Sequence, residues 1–128
     1  MSEGPVIVAA HGRLASALVE AAVLIGGRAD RFLTLSNDGH DAASLYDALR
    51  TAVDQSGATL ICTDLPAGSC TMAARRVQRE RPSVQVIAGV NLPLLLDLAL
   101  APDTPGAPGA LVERGRAHLR AWEGTDVR

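Results

Sequence analysis

Apolar residues in this chain fall into four short runs, and each run is followed by a stretch where they recur every three to four positions. The first run, PVIVAA at 5–10, is continuous, the pattern of a strand covered on both faces. RFLTL (31–35) is a weaker second run, TLICT (59–63) a third and VQVIAG (84–89) a fourth. Helical spacing fills the intervals. From about Leu14 to Ile25 it places Leu14, Leu18, Ala21, Ala22 and Ile25 on one face, and Gly26-Gly27 is a stop. The turn Asn37–Asp41 offers a cap for a helix carrying Leu45, Leu49, Ala52 and Val53. The stretch CTMAARRVQRE (70–80) predicts a third helix, ended by Arg81-Pro82. Pro93 suits the start of a fourth. A Pro/Gly loop at 102–109 leads to a final amphipathic helix from about 110 to 122.

Regular strand–helix alternation predicts an α/β protein with helices on both faces of a mainly parallel sheet. Right-handed crossovers leave few topologies, and the flavodoxin-like, doubly wound order 2-1-3-4 is the expected one for four strands. No internal repeat is visible, and residues 1–128 are expected to form a single domain. In such a sheet every C-terminal strand end lies on one edge. That edge gathers Ala10-His11-Gly12, Leu35-Ser36-Asn37, Thr63-Asp64 and Gly89-Val90-Asn91. Strands 1 and 3 meet at the topological switch point, so His11 and Asp64 are expected to face each other across the ligand-binding crevice.

A neutral imidazole is a nucleophile at neutral pH, since unperturbed histidine titrates near about 6.5. A carboxylate on one ring nitrogen fixes the tautomer and stabilises the positive ring formed on attack. The loop after Asp64 is short, built of small residues, and ends at a helix start. Gly68, Ser69 and the first helical amides are the expected cradle for an anion. Together these predict a histidine that carries a phosphoryl group. Plainer roles exist for each residue: Asp64 as a turn cap, Ser69 as a helix N-cap and Asn91 as the turn before Pro93. Cys62 reads as core, Cys70 as packing against its helix, and His40 and His118 as solvated surface.

Composition narrows the chemistry. All 12 basic residues are arginine, which removes the Walker A, Schiff-base and kinase-type lysines together. The net charge of -2 and only three aromatics, Phe32, Tyr46 and Trp122, leave the arginines at 75, 76, 79 and 81 as a solvated face, so no nucleic-acid partner is expected. No apolar run approaches the length of a membrane span, and the acidic N-terminus is unlike a signal peptide. Cys62 and Cys70 fit neither a disulfide framework nor a metal-ligand spacing, so no metal is expected and the expected compartment is the cytoplasm.

AAHG after the first strand, TDLPAGS after the third and VIAGVNLPLLLDL after the fourth resemble the mannose-family IIA component of the bacterial phosphoenolpyruvate:sugar phosphotransferase system (PTS). The similarity runs through nearly the whole chain in the same order. It implies a phosphocarrier, a phosphotransferase component without a cofactor. Such a protein takes a phosphoryl group from HPr onto His11, with Asp64 as the carboxylate partner and Ser69 as a phosphate contact, and passes it to a IIB component. It also implies a homodimer with exchange near the C-terminus, and membrane association only through a IIC/IID complex. No fused IIB domain is expected after Trp122. The family usually has G-G-S-P around the serine, whereas this chain has Ala67-Gly68-Ser69-Cys70. A cobalt or sirohydrochlorin-type chelatase also places HG after a first strand, but needs further metal-directed residues facing it. A regulatory domain phosphorylated on His11 needs the same residues as a transport component.

Overall fold

The computed structural model describes residues 4–100 and 107–126. Strand β1 is Val6–Ala10, β2 Phe32–Ser36, β3 Leu60–Thr63 and β4 Gln85–Ala88. The helices are α1 Leu14–Gly26, α2 Ala42–Ser56, α3 Ser69–Glu80, α4 Leu92–Leu100 and α5 Pro108–Arg116. All strand pairs are parallel, and the sheet order is β2-β1-β3-β4, as the sequence predicts. The register pairs Ala10 with Ser36 and Ala9 with Thr63, which brings the ends of the three strands level.

Strand β1 is buried along its whole length, and its alternation splits the core in two. Val6, Val8 and Ala10 pack with Ala15 and Ala22 of α1, Leu94, Leu95 and Leu98 of α4, and Leu111 of α5. Ile7 and Ala9 face Leu45, Leu49 and Val53 of α2, and Cys70, Ala74 and Val77 of α3. Helices therefore cover both faces. By the same alternation His11, one step past β1, belongs to the side of α2 and α3.

Helix α2 has a capping box: the Asp41 carboxylate accepts the Ser44 amide at 2.8 Å, and the Ser44 hydroxyl accepts the Asp41 amide at 3.0 Å. Asn91 caps α4, its side-chain oxygen accepting the Leu94 amide at 2.9 Å, while its amide group donates to the Gly115 carbonyl of α5 at 3.0 Å.

Three expectations are corrected. Helix α1 does not bury Leu14 and Ile25, which are 44% and 66% exposed; it turns Ala15 and Ala22 inward, with Leu18, Val19 and Val23 alongside. Its sequence is apolar nearly all round, so spacing alone does not single out one face. Ser69 is not the N-cap of α3: Gly68 holds that position and Ser69 opens the helix. The last helix is α5, starting at Pro108 and ending at Arg116 instead of running to 122. Beyond it Leu119 and Trp122 are 88% and 74% exposed, so no core contact sustains the helix. Of the loop expected at 102–109, residues 102–106 lie outside the described residues, and Pro108 and Gly109 are helical.

Candidate functional site

The chain leaves β1 through His11 into Gly12, whose φ of +58° is the left-handed conformation that glycine adopts without a steric penalty. The end of β2 holds that turn. Gly12 donates its amide to the Asn37 side-chain oxygen at 3.0 Å, and its carbonyl accepts the Ser36 hydroxyl at 2.7 Å. A histidine at the strand tip is followed by glycine because the backbone must reverse there to enter α1.

Asp64 stands opposite, one residue past β3. Its Oδ2 accepts the His11 amide at 3.0 Å and faces His11 Nδ1 at 2.7 Å. The His11 side chain is 45% exposed and that of Asp64 only 8%. With the Nδ1 proton directed at Asp64, the lone pair on Nε2 is free for solvent or substrate. Burial on its own would raise the Asp64 carboxyl, but the bonds from the His11 amide and ring outweigh it and hold it below its ordinary 3.8. The other oxygen, Oδ1, is buried and has no hydrogen-bond partner among the described residues.

The loop from Asp64 to α3 is braced from inside. Thr71 donates its hydroxyl to the Leu65 carbonyl, so in its contact with Thr63 it accepts the Thr63 hydroxyl. The Gly68 amide closes a turn onto the Leu65 carbonyl at 3.2 Å. A Cβ built on Gly68 would stand 3.2 Å from His11 Cε1, so the glycine lets the loop approach the imidazole. No side chain caps α3, which leaves its first amides open at this edge. Ser69, exposed, sits in that first turn.

The structure thus brings together His11, Asp64 and the loop carrying Gly68 and Ser69. His40 lies elsewhere, bonded to Ser44 at the start of α2, and His118 is exposed beyond α5. Cys62 is buried in the sheet, where burial pushes its thiol up to about 12. Cys70 is buried beside the site: one ligand atom from each of His11, Asp64 and Cys70 lies within 4.8 Å of the other two. Sequence reasoning placed Ser36 and Asn37 on this edge but missed that they clamp Gly12. The only available signal was a hydroxyl and an amide side chain at the end of the strand beside the histidine.

The doubly wound α/β fold thus sets a carboxylate-held, half-exposed histidine at its switch point. The chain belongs to the mannose-family PTS IIA components: residues 5–113 match the EIIA-man family, "PTS system fructose IIA component". It is 31% identical over 94 residues to the PTS system sorbose-specific EIIA component of Klebsiella pneumoniae, covering 72% of this chain and 70% of that protein. It is 28% identical over 130 residues to the PTS system mannose-specific EIIAB component of Escherichia coli K12, covering 95% of this chain. The chain spans only 40% of that relative's length. Among solved structures, the PTS IIA protein associated with the fucose utilization operon of Streptococcus pneumoniae superposes with a TM-score of 0.83 at 25% identity. That match covers 94% of this chain and 96% of the other. No described helix is long and apolar enough to cross a membrane.

Proposed function

We propose that this chain is a phosphocarrier whose His11 Nε2 accepts a phosphoryl group from phosphorylated HPr and delivers it to a IIB component for sugar uptake. The observation that carries the reading is the 2.7 Å contact between His11 Nδ1 and the buried Asp64 carboxylate on a side chain that is itself half exposed. In the transfer, the N–P bond of the donor phosphohistidine breaks and its electron pair stays on the donor ring. The Nε2 lone pair of His11 forms the new N–P bond. The Nδ1 proton stays between His11 and Asp64, whose negative charge balances the ring. The open amides at the start of α3, with Gly68 and the Ser69 hydroxyl, are assigned to the phosphoryl oxygens. No step requires a metal ion or a nucleotide.

Residues 1–128 are taken as one IIA domain, working in the cytoplasm as a homodimer and reaching the membrane only through IIC/IID. The family match favours this reading over a chelatase. The direct test is incubation with phosphoenolpyruvate, enzyme I and HPr, read by intact mass. One phosphoryl group should be added, acid-labile, stable to base and unaffected by chelator, and none should appear on His11→Ala. Labelling that persists in His11→Ala overturns the assignment. Light scattering at micromolar concentration should give twice the chain mass, and a monomer mass removes the dimer.

A further inference from the structure

Three different donor atoms converge at the switch point. A nitrogen of His11, a carboxylate oxygen of Asp64 and the sulfur of Cys70 lie within 4.8 Å of one another. In a tetrahedral zinc site, with bonds of about 2.0–2.3 Å, such donors stand about 3.3–3.8 Å apart, so the 2.7 Å pair of His11 and Asp64 would open and the sulfur would draw in by small side-chain movements. A second observation bears on Asp64 itself. Its side chain is 8% exposed, and both bonds from His11 go to Oδ2, while Oδ1 is sealed from solvent without a hydrogen-bond partner among the described residues. A buried carboxylate oxygen left in this state is unfavourable, and a coordinated cation relieves it. Of the three, His11 is the one that solvent reaches, its side chain being half exposed.

We propose that His11, Asp64 and Cys70 form a three-ligand site for a thiophilic divalent cation of the zinc class, and that its occupation blocks phosphoryl transfer to His11. Nitrogen, oxygen and sulfur donors in one set suit zinc or cobalt and not magnesium or calcium. On binding, the Cys70 thiol releases its proton to solvent, the neutral imidazole keeps its single proton on the ring nitrogen that does not coordinate, and the sulfur, the other imidazole nitrogen and a carboxylate oxygen each donate an electron pair to the metal. Water keeps the fourth position. The blocking effect rests on the phosphocarrier reading, whereas the binding does not.

The test uses the tag-free full chain with cobalt(II) as the probe. One equivalent should bind, with a thiolate-to-cobalt charge-transfer band and tetrahedral d–d bands, and zinc should displace it. Cys70→Ser, which keeps the side-chain branching but replaces sulfur by the smaller oxygen, should lose the charge-transfer band. His11→Ala, at a half-exposed position, should weaken binding at least about 100-fold, because loss of a mere outer-shell partner already costs about 10–100-fold. A charge-transfer band absent from the wild-type chain, or retained in Cys70→Ser, overturns the site. In a separate assay from purified phosphorylated HPr, zinc should suppress labelling of the wild-type chain but not of Cys70→Ser. Zinc-insensitive labelling of the wild type overturns the block and leaves the site standing. Absence of labelling in metal-free protein overturns the phosphocarrier reading, while the cobalt spectra still decide the site.

Discussion

At His11 one carboxylate oxygen holds both the backbone and the ring of the same residue, so losing it frees the imidazole in position as well as in tautomer. Asp64→Asn keeps a hydrogen-bonding group but no charge. Phosphoryl transfer from HPr should slow by about 10²-fold, the lower end for a positioned acid–base partner, because a neutral imidazole has no proton to lose before attack. Rapid-quench kinetics check this, and a wild-type rate would reduce Asp64 to a turn cap. Because the folded Asp64 carboxyl lies below 3.8, its grip on His11 is complete above that pH and is lost as pH falls through the folded value. Gly68→Ala tests the approach of loop to ring. Its φ of -85° is open to alanine, so the urea midpoint should barely move, while a methyl 3.2 Å from Cε1 must displace the ring by a few tenths of an ångström. A loss of up to about 10-fold in transfer rate is expected, well short of the cost of a full ångström. His11 and Asp64 were legible in the sequence because a parallel sheet gathers its strand ends. The Gly68 contact was not, because it depends on a close approach that no spacing encodes.

Among the elements, legibility followed the contrast between apolar and polar positions. Helix α2 has charged and polar residues between its buried positions, and Leu45, Leu49 and Val53 were read correctly as its inner face. Helix α1 lacks that contrast, and its inward face was read only in part: Leu18 and Ala22 pack on the core, whereas Leu14 and Ile25 do not. Helix α5 was read too long, since the apolar Leu119 and Trp122 continue a helical rhythm without a surface to pack on. Asn91 joins α4 to α5, satisfying one amide and one carbonyl with a single side chain. Asn91→Ala removes both partners and should lower unfolding free energy by about 1–2 kcal/mol in urea titration, the usual cost of a lost cap. Asn91→Asp, which keeps the acceptor for Leu94 but not the donor to Gly115, should fall between the two.

For the whole molecule, the sheet order and two-sided core followed from strand–helix alternation, and the match over residues 5–113 identifies the family. Cys62 lies in that core, and its thiol stays protonated in the folded chain up to about 12, against an ordinary 9.0. The folded state therefore binds this proton more tightly than the unfolded state across that interval. The contribution of this one proton to stability is full below pH 9 and falls as pH rises toward 12, by at most about 1.4 kcal/mol per pH unit. Urea unfolding at stepped alkaline pH should show a shallower decline in Cys62→Ala than in the wild type. The central position of β1 has a further effect on how the protein is made. His11 is added to a growing polypeptide before the residue that holds it, since Asp64 follows 53 positions later. The imidazole therefore stays ungripped until β3, Asp64 and the start of α3 have followed β1 out of the ribosome.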